Sequence, residues 1–323
     1  MKRRSALGAL VAAPFLTRLS WAEEGYPSRP VRLMIGYAAG GTADISMRIL
    51  GPLLAERLGQ PVVIENRGGA GGIAASQAVL SLPADGYTLL LAASGNFGIS
   101  PVLFKSLPFD AVKDFDMVAQ AAQFDYVFAV AARSELKSMK DIVDFAKANP
   151  GKLNIGTVQV GSAQFFAAEF FKSIAGISAV TIPFRTTGEV LSAVRGGDVH
   201  VMVETIAPIV GQVNGGVLRA LGVTGSAAFP ALPDALPISQ NGVPGYVVTG
   251  WNGLAVRAGT PEGVVQRINR ELAVILERDD VKKRFAELGT VARYDTPQAM
   301  RALQAADLEK WGGVMRTSRL EKQ

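Results

Sequence analysis

Short runs of β-branched and aliphatic residues alternate with stretches of helical period along most of this 323-residue chain, and that alternation limits the fold more than any single motif. Residues 31–37, 61–65, 87–93, 126–131, 153–157, 180–184, 199–204, 218–223 and 253–257 read as strands. Residues 44–58 have helical period, with Ile45, Ile49 and Leu53 on one side and Pro52 expected to kink the helix. Residues 73–81 and 164–174 read as further helices. Ser138-Met139-Lys140-Asp141 reads as a capping box opening a helix that runs to Ala148. Thr260-Pro261-Glu262 puts a threonine cap before a proline at the first helical position, and Thr296-Pro297 repeats the device before a last helix. Strands and helices in this order predict an α/β fold with mostly parallel sheets flanked by helices.

The amino end has a different character. Lys2, Arg3 and Arg4 precede an apolar run from Ala6 to Leu16, and Ser20-Trp21-Ala22 carries small residues at the two places a signal peptidase reads. This is the layout of a secretory signal peptide, residues 1–22, cleaved near Ala22. The run is shorter than the ~20 residues a bilayer span needs. The segment holds Lys2, Arg3, Arg4 and Arg18 and no acid, so without it the formal net charge of +5 becomes +1. The remaining chain has no dense basic run, and nucleic acid is not expected as a partner.

About 300 residues beyond the leader exceed what one core usually serves, which predicts two domains. The absence of cysteine excludes disulfides, thiolate metal sites and cysteine nucleophiles, and a single histidine, His200, excludes multi-histidine metal sites. His200 lies in the strand-like run Val199-His200-Val201-Met202-Val203, where a half-buried structural role is expected. Gly68-Gly69-Ala70-Gly71-Gly72 does not match the dinucleotide fingerprint. Ser134-Glu135-Leu136-Lys137 matches the SxxK of serine acyl enzymes, but it stands before a capped helix without companion motifs and reads as a solvated turn. No catalytic residue, cofactor or metal is expected.

Open α/β sheets bind ligands beyond the carboxyl ends of their strands. Three donor-rich loops fall there. Ala38-Ala39-Gly40-Gly41-Thr42-Ala43-Asp44 leads into a helix whose N-terminal amides suit an anion. Ser94-Gly95-Asn96 follows the third strand. Thr157 to Gln164 carries Gly161 and Ser162 before another helix. Each loop alone is explained by ordinary capping; together they point to a binding cleft.

Three longer strings are more specific. Tyr37-Ala38-Ala39-Gly40-Gly41-Thr42-Ala43-Asp44, the stretch from Gly59-Gln60-Pro61 through Glu65-Asn66-Arg67 to Gly72, and Pro83-Ala84-Asp85-Gly86-Tyr87-Thr88-Leu89 resemble the Bug family, the periplasmic solute receptors of tripartite tricarboxylate transporters. Leu218-Arg219-Ala220-Leu221-Gly222-Val223-Thr224, Leu232-Pro233-Asp234, Trp251-Asn252-Gly253-Leu254 and Ala258-Gly259-Thr260-Pro261 continue the likeness in order. The resemblance implies a type II periplasmic binding fold, the Venus-flytrap, with lobe one at 26–124 plus 250–323 and lobe two at 125–249. It implies a monomer that captures a small organic acid (a di- or tricarboxylate, an acidic amino acid or an aromatic acid) and delivers it to membrane transporter subunits or a sensor. Carried over by position, the ligand-binding residues are Ala39, Gly40, Gly41, Thr42, Asp44, Ser94 and Asn96 from lobe one. Gln159, Gly161, Ser162, Gln164, Thr187, Gly188 and Glu204 face them from lobe two. Asp44 is expected to brace its own loop. Thr42→Val and Ser162→Ala are expected to weaken binding and leave the unliganded fold intact.

Two positions depart from the family pattern. Phe165 floors the pocket or belongs to the helix core with Phe166, Phe170 and Phe171; core is favoured. Arg185 pairs a second carboxylate or is solvated; solvation is favoured. A secreted hydrolase on a similar scaffold and an interaction protein with an exposed apolar patch are the competing functional classes.

Overall fold

The computed structural model describes residues 25–317 and 321–322, so the signal peptide read at 1–22 lies outside the described residues. The element order is β1 (Val31–Ile35), α1 (Thr42–Leu58), β2 (Val62–Asn66), α2 (Ile73–Leu80), β3 (Thr88–Ala93), α3 (Ser100–Leu103) and β4 (Phe115–Ala131). Then come α4 (Met139–Ala148), β5 (Leu153–Val158), α5 (Ala163–Ala175), β6 (Ala179–Phe184), α6 (Thr187–Gly196), β7 (Val201–Thr205), α7 (Val210–Asn214) and β8 (Leu218–Val223). The chain closes with β9 (Thr249–Arg257), α8 (Glu262–Leu276), α9 (Asp279–Glu287), β10 (Thr290–Asp295) and α10 (Pro297–Thr317).

The strands run β2-β1-β3-β9-β4-β7-β5-β6, with β8 and β10 also on β4. Pairing is parallel where a helix connects the strands, as for β1 with β2 and β3, and for β5 with β6 and β7. It is antiparallel for β9 on β3 and for β7, β8, β9 and β10 on β4. The sheet is therefore mixed rather than mostly parallel. The physical reason lies in β4 and β9. Neither is joined to its neighbours by a helical crossover, so neither is forced into their direction.

Strand β4 is the longest in the fold and starts well before the apolar run at Tyr126. Its first part, Phe115 to Asp125, pairs with β9 from Arg257 to Thr249. From Tyr126 onward it pairs instead with β7, starting at Thr205, and with β8. The early part carries Ala119, Gln120, Ala121, Ala122 and Gln123, residues of weak strand propensity, and tertiary pairing overrides that preference.

Alternate residues of each central strand feed opposite faces, as the period of two requires. Phe128, Val201 and Val203 bury against Phe166 and Phe171 of α5, whereas Val127, Ala129 and Met202 bury against Val190 and Val194 of α6. In the other half, Leu89 and Leu91 share a core with Met47 and Leu50 of α1, while Leu90 and Ala92 pack with Ala75 and Val79 of α2. Both faces are covered, which is why these strands read as unbroken apolar runs.

Side-chain caps open α4, α5, α6 and α10. Ser138 accepts from the Asp141 amide at 3.1 Å and Thr296 from the Ala299 amide at 3.2 Å, both as N-caps. Thr260 differs from its expected role: its hydroxyl donates to the Arg257 carbonyl at 2.7 Å, and α8 begins after Pro261 without a side-chain cap. Helix α1 runs continuously through Pro52. His200 is structural, its Nδ1 accepting from the Asn154 amide at 3.0 Å with Phe145 against the ring.

Asp125 stands where β4 changes partners, and burial pushes its carboxyl from 3.8 up to about 6. The folded protein then binds more protons than the unfolded chain between those values. Stability falls as pH rises through that window, by up to about 1.4 kcal/mol per pH unit. Asp125→Asn should remove this slope and leave the variant more stable than the parent at neutral pH. Urea unfolding at pH 4 and pH 7 checks it; equal pH dependence in the two proteins would rule it out.

Candidate ligand-binding site

The carboxyl ends of β1, β3, β5, β6 and β7 converge with the middle of β4 and the start of β9 around a cavity of about 100 Å³. The loop after β1 is shaped by Gly40, whose φ of +83° suits glycine. Its amide donates to Asp44 Oδ2 at 2.9 Å, and the same oxygen accepts from Arg48 Nε at 2.9 Å. Burial raises the Asp44 pKa, but Arg48, the Gly40 amide and Asn66 outweigh it and hold the carboxyl below its ordinary value. Asp44 thus braces its own loop at the start of α1, where Gly41, Thr42 and Ala43 lie in the cavity wall. The amides at a helix start have no acceptor within the helix.

Beyond β3 the chain enters a π-helical turn, Ser94–Ile99. Asn96 is spent inside it: its Oδ1 accepts from the Ala93 amide at 2.9 Å, its Nδ2 donates to the Leu91 carbonyl at 3.1 Å, and its amide donates to the Tyr37 hydroxyl at 3.2 Å. Ser94 Oγ accepts from the Trp251 amide at 3.1 Å and ties β3 to β9.

The other side is built on β5, β6 and β7. Ser162 caps α5, accepting from the Phe165 amide at 3.1 Å, and donates to the Val158 carbonyl at 3.2 Å. Gly161 has a φ of +87°, and its carbonyl lies 3.3 Å from where a Cβ on Gly71 would stand, so this loop closes against the opposite half. Glu204, at the end of β7, is 1% exposed. Its Oε1 accepts from Gln164 Nε2 at 2.7 Å, from the Thr205 amide at 2.7 Å and from Thr205 Oγ1 at 3.0 Å; its Oε2 accepts from Thr187 Oγ1 at 2.7 Å. Thr42 Oγ1 donates to Thr205 Oγ1 at 2.6 Å. A buried chain of hydroxyls therefore links the α1 loop to Glu204.

Of the residues singled out in the sequence, Ala39, Gly41, Thr42, Ser94, Gln159, Ser162, Gln164, Thr187 and Glu204 line one cavity. Gly40, Asp44, Asn96, Gly161 and Gly188 are not in its wall. The first four shape or close the loops around it; Gly188 lies in the first turn of α6, where its carbonyl accepts from Ser192. Phe165 is not in the wall either and packs beside Phe166, its ring 6.1 Å away. Arg185 is exposed and does belong to the wall.

Sequence reasoning missed Tyr126 and Asn252. Both line the cavity, both are 1% exposed, and neither the Tyr126 hydroxyl nor Asn252 Nδ2 makes a hydrogen bond among the described residues. Burial first, and the nearby charges of Asp307 and Glu204 with it, keep the Tyr126 phenol protonated far above its ordinary range. Buried donors of this kind cost about 1–3 kcal/mol each when unpaired. In the sequence Trp251-Asn252 figures only as part of a family string, and Tyr126 only as the start of a strand.

The description "tripartite tricarboxylate transporter family receptor" matches residues 47–320 of the chain. The chain belongs to this family. It is 30% identical over 295 residues to Protein BugT of Bordetella pertussis, covering 90% of each. Its fold is that of the two-lobed periplasmic binding proteins. It matches the periplasmic binding protein BugD with a TM-score of 0.86 at 27% identity, over 92% of this chain and 100% of that one. An R. palustris protein solved with adipate matches with a TM-score of 0.87 at 28% identity, over 91% and 98% of the two chains. Members of this family are solute-binding receptors.

Because the Ser162 hydroxyl serves as a cap, Ser162→Ala should also act on the stability of the unliganded receptor. It should lower stability by about 1 kcal/mol. Urea denaturation without ligand checks this; an unchanged midpoint would show that the cap carries no weight.

Proposed function

We propose that this receptor is exported through a signal peptide ending near Ala22 and captures a small organic carboxylate in the periplasm. It then delivers the carboxylate to a tripartite tricarboxylate-type transporter or a sensor. The bound acid lies between lobe one, 26–124 plus 250–323, and lobe two, 125–249. The proposed reading is capture without turnover.

One observation carries it: Tyr126 and Asn252 line the cavity, the Tyr126 hydroxyl and Asn252 Nδ2 are buried without a hydrogen-bond partner among the described residues, and the start of α1 lies in the same wall. A carboxylate satisfies all of them. Neutral donors hold an anion without burying a counter-charge, whose desolvation is costly. Hydrogen bonds to a charged group contribute about 1.5–3 kcal/mol each, so four or five suffice for the ~8 kcal/mol of micromolar binding after ordering costs. The adipate in a structural relative is a ligand of this chemistry. Tyr126 sits on β4 at its change of partner, and Asn252 on β9 near the end that begins beside it. A ligand held there touches both lobes in the closed form and shifts the open–closed population toward it.

A thermal-shift panel of mono-, di- and tricarboxylates, amino acids and aromatic acids on the protein lacking residues 1–22 tests the reading. At least one acid should raise the melting temperature. Tyr126→Phe should weaken that acid about tenfold and not destabilise the free protein, since it removes a buried hydroxyl without a partner. A flat response across the panel sinks the reading.

A further inference from the structure

Two charged residues line the cavity, and they differ in kind. Arg185 is exposed at its edge, whereas Glu204 is buried at the end of β7. All four bonds that Glu204 makes are accepted bonds, two of them from donors that cannot act otherwise, the Gln164 amide and the Thr205 backbone. That pattern fits a carboxylate. No lysine or arginine among the described residues forms an ion pair with it. Three of the four bonds fall on Oε1; Oε2 accepts only from Thr187 and keeps a lone pair. The Thr187 hydroxyl and one of the two N–H donors of Gln164, groups a second ligand carboxylate would use on this side of the cavity, are already bound to Glu204.

Resting on the carboxylate reading above, we propose that Glu204 is a specificity-determining residue. The preferred ligand carries one carboxylate, for Tyr126, Asn252 and the α1 amides, and a hydrogen-bond donor, an ammonium or a primary amide, for Glu204 Oε2. A second carboxylate facing Glu204 would set two buried anions against each other, a contact that like charges in a desolvated site strongly disfavour. The exposed guanidinium of Arg185 does not reverse this, because charge pairs open to solvent are worth little. Glu204 thus separates amino and amide acids from plain dicarboxylates of the same length.

The test compares matched acids by calorimetric titration of the purified protein at neutral pH. One series is pentanoate, glutarate, 5-aminopentanoate and glutaramate; the other is butanoate, succinate, 4-aminobutanoate and succinamate. In at least one series, the amino or amide acid should bind about tenfold or more tighter than both the dicarboxylate and the unsubstituted acid. The stronger of the two arms identifies the donor as ammonium or amide. Glu204→Gln keeps the shape and should tighten the dicarboxylate about tenfold while erasing the preference. The parental rank order decides the matter even if that variant does not fold. Dicarboxylates that bind the parent as tightly as the donor-bearing acids overturn the role of Glu204 and leave the carboxylate reading standing. Failure of every acid here and in the wider panel overturns both.

Discussion

Taking the Glu204 carboxylate out of water at the end of β7 costs several kcal/mol, and the strand ends around it are arranged to offset that cost. Gln164 reaches it from α5, Thr187 from α6, and Thr205 from its own strand with both amide and hydroxyl. Thr42 extends the same chain to the first turn of α1 on the far side of the cavity. Each of these groups is a small polar residue at a strand–helix junction, the place in an α/β fold where backbone donors are left over. One buried charge sets the direction of every hydroxyl in the chain, so the polar half of the cavity has a single arrangement.

Around that chain the fold supplies two kinds of support. Residues such as Asp44, Asn96 and Ser162 use their side chains on their own loops, holding backbone in place. Tyr126 and Asn252 do the opposite. They lie in regular strands, need no support from their side chains to keep their place, and leave polar atoms uncommitted. Loops that look like ligand-binding loops are here largely occupied with their own geometry, and the uncommitted donors come from the rigid strands between them.

The strands β4 and β9 make this possible. Strand β4 runs past the junction between the two sets of parallel strands and changes partner between Asp125 and Tyr126, where β9 begins beside it. Asp125 and Tyr126 stand at that change, and burial there raises both the Asp125 carboxyl and the Tyr126 phenol. The same burial that stabilises the junction makes an unpaired polar atom there expensive, a cost that the proposed carboxylate would relieve.

Local residue patterns determined much of this protein. The apolar runs marked most central strands, Ser138 and Thr296 marked helix starts, and the glycine-rich strings marked both the family and the loops that ring the cavity. Those features are local, set by propensity, capping and backbone freedom within a few residues. Tertiary structure decided the rest. The early half of β4 is alanine- and glutamine-rich and becomes strand only because β9 and β10 pair with it. Ser162 and Asn96 brace their own loops, Ser162 from within the cavity wall, while Tyr126 reads as the start of a strand and Asn252 as part of a family string, and both hold buried donors without a partner among the described residues. Which polar atoms are already satisfied depends on partners far away along the chain, as with Thr42 and Thr205, and no short-range pattern encodes a hydrogen bond of that span.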